Sequence, residues 1–181
     1  MVKGDPDRYD DTFRKYSKRF FGPNFDWQYF KAQALAESGM DPNAKSPVGA
    51  RGIMQLMPGT YALIKKSKQN EFGDILDPEW NIAAGINHNR GLWHRWKDAP
   101  TTEERLRFMF GSYNAGEGPI LRARNVARTK QLDDKVWTSI ETVAPAVGKW
   151  RYTETLPYVR KIEKNHDQLS NRPRKVNAVK K

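Results

Sequence analysis

Apolar residues recur with a helical spacing along most of the chain, whereas the alternation that is typical of strands is scarce. The pattern predicts six successive helices, at 25–38, 58–67, 77–96, 101–116, 119–131 and 156–169. Residues 39–56 are predicted to be irregular, with at most a small hairpin, and residues 131–153 show no clear period. We therefore predict a mainly α fold, a single domain with a helical core.

Residues that favour helix N-termini stand at the start of several segments. Asp26 and Asp77 occupy N-cap positions, and Pro58 opens the second segment. Thr101 and Glu104 have the spacing of a capping box, in which each side chain caps the backbone of the other residue. Prolines mark the first turn of three further segments: Pro78, Pro119 and Pro157.

Glu37 continues the apolar stripe of the first predicted helix. At about 100° per residue, Trp27, Phe30, Ala34 and Glu37 fall within an arc of roughly 80°. Two interpretations follow. Glu37 closes the helix as a solvated carboxylate, or it is a half-buried acid whose pKa is raised by desolvation and which donates a proton near neutral pH.

The composition indicates a folded, basic protein. Hydrophobic residues make up 38% of the 181 residues and include 6 Trp, which is enough apolar material for a packed core. Lys and Arg number 32 against 21 Asp and Glu, so the formal net charge is +11. Such a charge favours polyanionic partners, namely nucleic acid, anionic lipid, or bacterial wall and envelope polymers.

Several classes of chemistry lack their signatures. The chain has no cysteine, and its three histidines, His88, His94 and His166, form no H-E-x-x-H pattern. No phosphate-binding loop and no G-x-S-x-G motif occur. We therefore predict no metal and no cofactor. Neither an export signal nor a run of 18 apolar residues is visible in the chain as given.

Four short motifs occur in a fixed order: "ES" at 37–38, "SPVGARGIMQLMP" at 46–58, "SYNAG" at 112–116 and "ETLPYV" at 154–159. In this order and spacing they resemble the catalytic domain of the soluble lytic transglycosylases, relatives of goose-type lysozyme that cut the glycan strands of peptidoglycan. The resemblance covers residues 25–169 and implies a lysozyme-like domain. The long, basic stretch at 118–154 resembles the longer membrane-bound F-like or phage-borne members.

The resemblance implies a role for each matching residue. Glu37 is the single catalytic acid and base, and the hydroxyl of Tyr158 approaches its carboxyl. Ser46 lies near that carboxyl and the acetamido group of the substrate, and Gln55 contacts the substrate. From the residues alone, Ser46 is equally a turn residue before a proline, Gln55 an exposed loop residue and Tyr158 a core aromatic.

The resemblance also places the side chains of Tyr113 and Asn114 beside the cleft, as supporting or substrate-binding groups. On periodicity alone Tyr113 is a core residue, because Leu106, Met109 and Phe110 share its helical face. Two positions depart from the common family pattern: Ser112 and Glu117 stand where Ala and Pro are usual.

The implied reaction cleaves the β-1,4 bond between N-acetylmuramic acid and N-acetylglucosamine and leaves a 1,6-anhydro ring. It needs one carboxyl group, since the nucleophile is a hydroxyl of the same sugar. One alternative is a hydrolytic muramidase with a second carboxylate among Asp41, Glu71, Asp74 and Asp77. Another is a non-enzymatic basic module for wall or nucleic acid, using "GLWHRW" at 91–96 and "LRARNVAR" at 121–128.

The predicted organisation has three parts. Residues 1–24 form an N-terminal extension, 25–170 the lytic transglycosylase domain and 171–181 a basic C-terminal tail with five basic residues and no acid. The expected partner is peptidoglycan, with contact to the anionic envelope through the tail. No nucleic acid is expected, and the protein is expected to be a monomer. Its expected place is the cell envelope or periplasm, or the wall when phage-delivered.

Overall fold

The fold is known from a computed structural model that describes residue 5, residues 7–69 and residues 71–172. Eight α-helices form within these residues: α1 Asp10–Phe21, α2 Gln28–Glu37, α3 Pro58–Ser67, α4 Pro78–Arg95, α5 Thr102–Ala115, α6 Glu117–Thr129, α7 Trp137–Val143 and α8 Tyr152–Ser170. A single 3-10 turn, Ala144–Ala146, follows α7. The predicted mainly α fold is confirmed.

The irregular segment between α2 and α3 contains no strand among its residues. Two isolated antiparallel bridges join Lys45 to Arg51 and Arg51 to Leu56. The predicted small hairpin is thus reduced to single bridges, and side chains from the helices hold the rest of the segment.

Helix α2 contributes to the core of the fold. It packs along α8 and against α1, while α4 packs against α1 and α5, and α5 also contacts α6 and α8. Phe30, Ala32 and Ala34 of α2 have no exposed surface. The C-terminal end of α2, from Leu35 to Glu37, is only partly buried.

Two of the predicted helix starts are confirmed in atomic detail. The Asp77 carboxylate accepts hydrogen bonds from the backbone N–H groups of Glu79 and Trp80. The Thr101 hydroxyl accepts from the N–H of Glu104 at 3.2 Å. The second hydrogen bond of the capping box, from the Thr101 N–H to the Glu104 carboxylate, is not formed in this described region. The Glu104 carboxylate instead accepts from the backbone N–H of Trp137 at 2.5 Å.

Three other predicted helix starts are displaced. Helix α2 begins at Gln28, and Asp26 accepts from the Gln28 N–H in the preceding turn. Helix α6 begins two residues before Pro119, and α8 begins at Tyr152, so that Pro157 lies inside it. Pro157 lacks the N–H that would complete one backbone hydrogen bond, and α8 continues through it.

Helix α1 belongs to the same core although the sequence pattern did not predict it. Phe13 and Tyr16 are buried in the core. The ammonium of the buried Lys31 on α2 lies 2.9 Å from Asp7 and 2.5 Å from Asp10. A buried cation must be paired, so this cluster ties the N-terminal segment to α2. The predicted domain boundary after residue 24 stays a prediction.

Helix α7 was also missed, since seven residues are too few to establish a helical period. It docks onto α5 through Trp137, whose indole contacts the ring of Phe108 edge-on at 5.4 Å. A Cβ atom on Gly111 of α5 would lie only 2.2 Å from the Trp137 ring. A glycine at this position is therefore what lets α7 approach α5.

We predict that Gly111→Ala destabilises the protein by about 1–3 kcal/mol, because the added methyl group overlaps the buried indole of Trp137. The matched control is Gly91→Ala on α4, where a Cβ atom meets nothing within 4 Å. It should stabilise the protein by about 0.5–1 kcal/mol through helix propensity. Urea unfolding of both variants measures the difference, and equal effects would contradict this account of Gly111.

Candidate active site

Glu37 is the last residue of α2, and its carboxyl group faces α8. The Tyr158 hydroxyl donates a hydrogen bond to Glu37 Oε1 at 2.5 Å. Burial raises the pKa of Glu37 from 4.5 to about 7; the Tyr158 hydrogen bond and the charge of Lys161 lower it, and the charge of Glu154 raises it. The carboxyl is therefore partly protonated at neutral pH.

Tyr158, predicted to approach Glu37, and Tyr113, predicted to lie beside the cleft, both interact with the charge of Glu37. Burial raises the pKa of Tyr113 and of Tyr158, and the negative charge of Glu37 raises both further. Both phenols therefore stay protonated across the physiological range and act as hydrogen-bond donors. Tyr113 donates to the backbone carbonyl of Met54 at 2.8 Å.

The segment 51–56 is held beside Glu37 by three side chains: Asn81 of α4, Tyr113 of α5 and Ser38, the residue that follows α2. The Asn81 amide of α4 accepts from the Met54 N–H at 2.7 Å and donates to the carbonyls of Arg51 and Ile75. The Ser38 hydroxyl, directly after Glu37, donates to the Ile53 carbonyl at 2.8 Å. Together with the hydrogen bond from Tyr113, these contacts provide partners for backbone N–H and C=O groups that no sheet pairs.

Glycine at position 52 is required by this arrangement. Gly52 has φ +74°, and a Cβ atom there would lie 2.5 Å from Asn81 Nδ2. Gln55 also lies in the left-handed region, with φ +46°. A non-glycine residue in this region is uncommon, so the tertiary contacts impose the conformation of the segment on its sequence.

Ser46 and Gln55 make contacts within their own segment. The Ser46 hydroxyl accepts from the Ala50 N–H at 3.0 Å, as expected of a turn residue. The Gln55 amide donates to the carbonyls of Ala44 and Gly52. Their direct contact with substrate stays a prediction, and what the structure describes is their role in shaping the segment.

Asn114 is held by the first turn of α8. Its side-chain oxygen accepts from the Thr155 hydroxyl at 2.8 Å, and the same hydroxyl accepts from the indole N–H of Trp150 at 3.0 Å. The amide N–H₂ group of Asn114 is thereby oriented away from Thr155. Trp150 lies in the long stretch before α8, so this stretch connects to a predicted site residue.

The four acids considered as a second carboxylate have structural contacts elsewhere. Asp41 and Asp74 each accept from a backbone N–H two residues further on, and Asp77 caps α4. Glu71 pairs with Arg19 at 2.8 Å. The acid whose charge raises the pKa of Glu37 is Glu154, in the first turn of α8.

Several polar residues around Glu37 were missed by the sequence interpretation. Gln33 lies one helical turn before Glu37, and neither it nor Asn89 of α4 has exposed surface. These two residues and Asn81 were missed because a single amide in an apolar helix forms no recognisable motif. The one available signal was the i, i+4 spacing of Gln33 and Glu37, which places both on one helix face.

The half-buried glutamate that ends α2 is bound by a tyrosine and faces a segment clamped by polar side chains. The chain belongs to the family described as the Transglycosylase SLT domain, which matches residues 12–136. The resemblance found in the motifs, including that to the F-like members, is confirmed.

Individual relatives agree with this assignment. The chain is 32% identical over 173 residues to the membrane-bound lytic murein transglycosylase F of Shewanella woodyi, covering 88% of this chain and 35% of that protein. The F enzyme of Vibrio cholerae is 32% identical over 145 residues, covering 80% of this chain and 25% of that protein. The chain thus spans about a third or less of the length of these relatives.

Solved structures give the same picture. The 70 kDa soluble lytic transglycosylase of Escherichia coli superposes with a TM-score of 0.70 at 26% identity, over 92% of this chain and 25% of that one. The 70 kDa enzyme in complex with bulgecin A gives 0.71 at 27% identity, over 91% and 24%. The predicted lysozyme-like architecture is confirmed.

Two further features are missing from the part of the chain that the structure describes. None of the helices there is both long and apolar enough to span a membrane. Over the same residues, no three His, Asp or Glu side chains come together in a cluster that could hold a metal ion.

We predict that Glu37→Gln makes the protein more stable than the parent above pH 8, by about 2–3 kcal/mol. The parent must ionise a desolvated carboxyl, whereas Gln stays neutral. Because the folded pKa of about 7 exceeds the ordinary 4.5, the favourable contribution of Glu37 is complete below pH 4.5 and is lost as the pH rises through 7. Chemical denaturation at pH 4 and pH 8 measures the difference.

The control for this measurement is Glu71→Gln, an exposed glutamate in the loop before α4. It should not reproduce the gain at high pH. A Glu37→Gln advantage of the same size at pH 4 and pH 8 would show that Glu37 is not held with a raised pKa.

Proposed function

We propose that this chain is a lytic transglycosylase that cleaves the β-1,4 bond between N-acetylmuramic acid and N-acetylglucosamine in peptidoglycan without using water. The observation that carries the proposal is a single desolvated carboxyl, Glu37, with a pKa of about 7 and a tyrosine donor on one oxygen. A group with this pKa both donates and accepts a proton at neutral pH. Membership of the family supports the substrate.

The first step uses Glu37 as an acid. Its proton passes to the glycosidic oxygen as the bond from the muramic C1 to that oxygen breaks, and N-acetylglucosamine leaves with a free hydroxyl. The positive charge that develops on the muramic ring is stabilised by the carboxylate that remains. The hydrogen bond from Tyr158 helps to hold this carboxylate in its ionised form.

The second step uses the same carboxylate as a base. Glu37 takes the proton of the C6 hydroxyl of the muramic residue while O6 forms a bond to C1, which closes the 1,6-anhydro ring. Attack within one sugar replaces attack by water, so a second carboxylate is not needed. Glu37 ends the cycle protonated, as it began.

The predicted supporting residues are proposed to have distinct roles. Asn114, oriented by Thr155, presents its amide N–H₂ to the glycan. Tyr113 holds the 51–56 segment through Met54. Ser46 and Gln55 are proposed to contact the N-acetyl and hydroxyl groups of the substrate with the atoms that their turns leave free.

The names of the relatives support the murein substrate and a location in the cell envelope or periplasm, since they are described as membrane-bound lytic murein transglycosylases. A complex of a related enzyme with bulgecin A has a similar fold. We propose that this chain likewise acts at the wall, as a monomer, without a metal or cofactor.

The non-enzymatic basic module is not favoured by the packing. Trp96 of the "GLWHRW" segment is buried, and Trp93 packs against Phe25 and under the guanidinium of Arg105. Arg124 of the second basic segment pairs with an aspartate on each side. These aromatic and basic groups make contacts within the fold and do not form an exposed surface on which bases could stack.

The product of the reaction distinguishes transglycosylation from hydrolysis. We predict that digestion of purified peptidoglycan in heavy-oxygen water gives muramic ends that carry the anhydro ring, weigh one water less than hydrolysed ends, and contain no label. Mass spectrometry of the released fragments measures this. Glu37→Gln should reduce release by at least about 100-fold, in line with the loss of a general acid and base.

A labelled, reducing muramic end as the major product would identify a hydrolytic muramidase and direct attention to Glu154 as a water-activating group. Parent-like release by Glu37→Gln would show that Glu37 is not the acid. An unrelated buried-polar variant, Ser17→Ala on α1, serves as the folding control and should release fragments at the parental rate.

We also propose that the basic C-terminal residues attach the enzyme to the anionic envelope. Deleting residues 171–181 should weaken binding to intact sacculi at low salt and leave cleavage of short soluble fragments unchanged, because exposed charges act through screened attraction. The predicted tail lies outside the described residues from 173 onward. Equal binding of both forms at low salt would contradict this role.

A further inference from the structure

A chain of three hydrogen bonds connects α4 to the carboxyl of Glu37 through the interior. Asn89 Nδ2 donates to Gln33 Oε1 at 2.6 Å, Gln33 Nε2 donates to the Tyr158 hydroxyl at 3.1 Å, and Tyr158 donates to Glu37 Oε1 at 2.5 Å. Gln33 and Asn89 have no exposed surface, and Tyr158 is 8% exposed. Solvent therefore has little access to these three hydrogen bonds. Which group donates and which accepts in each of them is set by the side chains themselves.

The donor and acceptor roles along these hydrogen bonds depend on the orientation of the Gln33 amide. An amide has a donor end and an acceptor end, and Tyr158 meets only one of them. The donor Nδ2 of Asn89 faces the Gln33 oxygen, and Gln33 Nε2 faces Tyr158. Because Gln33 already donates to the phenol oxygen, the phenol directs its own proton to Glu37.

This direction decides where neutral Glu37 carries its proton. Oε1 accepts from Tyr158, so the acidic proton lies on Oε2, the oxygen that Tyr158 leaves free. If the Gln33 amide were reversed, Tyr158 could donate to Gln33 and accept the proton of Glu37. The acid would then point its proton at α8 and not at a substrate.

We propose that Asn89 and Gln33 are positioning residues that hold Tyr158 as a donor, so that Glu37 keeps its acidic proton on Oε2 for the leaving oxygen. This inference rests on the proposed function of Glu37 as the acid. Neither amide touches the reacting atoms, and both act through Tyr158.

A purely structural role explains the Asn89 amide less well. Its side-chain oxygen is buried and has no hydrogen-bond partner among the described residues. An unpaired buried acceptor destabilises a fold, whereas an apolar side chain of similar size would not. The Nδ2 group at the other end of the Asn89 amide explains why an amide is present, because it orients Gln33.

The first test is Asn89→Leu, assayed on a soluble oligosaccharide of alternating N-acetylglucosamine and N-acetylmuramic acid. Without the Asn89 donor the Gln33 amide is free to reverse. We then expect kcat to fall about tenfold, because the proton that Glu37 donates in the transition state is misplaced. KM should stay within twofold, because substrate binding is unchanged. The melting temperature of this variant should stay close to that of the parent, because the change removes the unpaired Asn89 oxygen but leaves one buried polar group of Gln33 without a partner.

The second test is suppression by Gln33→Met. Methionine has no oxygen to accept the Tyr158 proton, so Tyr158 can donate only to Glu37. The double variant Asn89→Leu with Gln33→Met should therefore recover most of the lost kcat. A merely structural cluster would instead lose activity further with each substitution.

Gln33→Glu provides an independent route, since its carboxylate offers acceptors to both neighbours and should lower kcat as Asn89→Leu does. Parental kcat in both folded variants, or additive losses in the double variant, would overturn the inference. If the parent itself shows no cleavage that depends on Glu37, the proposed function fails first. Ser17→Ala, a buried hydroxyl on α1, is the control and should keep the parental kcat.

Discussion

The desolvation of the Glu37 carboxyl is the constraint on which the rest of the site depends. An isolated carboxylate at the end of a buried helix would be strongly disfavoured, so the fold supplies one phenol donor and leaves the group near its neutral form. The donor, Tyr158, comes from a helix 121 residues further along the chain. The packing of α8 along α2 is therefore both the largest contact of the core and the condition for the chemistry.

The second constraint is the support of an irregular segment without a sheet. Residues 51–56 form single bridges only, and several of their backbone groups are hydrogen-bonded by Ser38, Asn81 and Tyr113. A segment held in this way keeps its position relative to Glu37, because Asn81 and Tyr113 belong to core helices and Ser38 directly follows Glu37. Rigid surroundings of this kind lower the cost of orienting a substrate against a single acid.

Much of the fold could be read from local signals. Asp77 and Thr101 cap helices through atoms two or three residues away, and their predicted contacts are present. The motif around Glu37 identified the family, and with it the neighbour Tyr158. Two predictions failed for different reasons. The Glu104 carboxylate binds the backbone N–H of Trp137, a distant partner, and not that of Thr101, while α8 begins before Pro157 and continues through it.

The sequence by itself determined the helical class and the family and singled out Glu37 as the candidate acid, because these depend on periodicity and on motifs of neighbouring residues. Tertiary structure alone decided the pKa of Glu37, the clamps on its neighbouring segment and the direction of the Asn89 to Gln33 bond. Each of these is set by desolvation or by a hydrogen bond between helices far apart in the chain. Such partners are chosen by packing, which no local pattern of polar and apolar residues specifies.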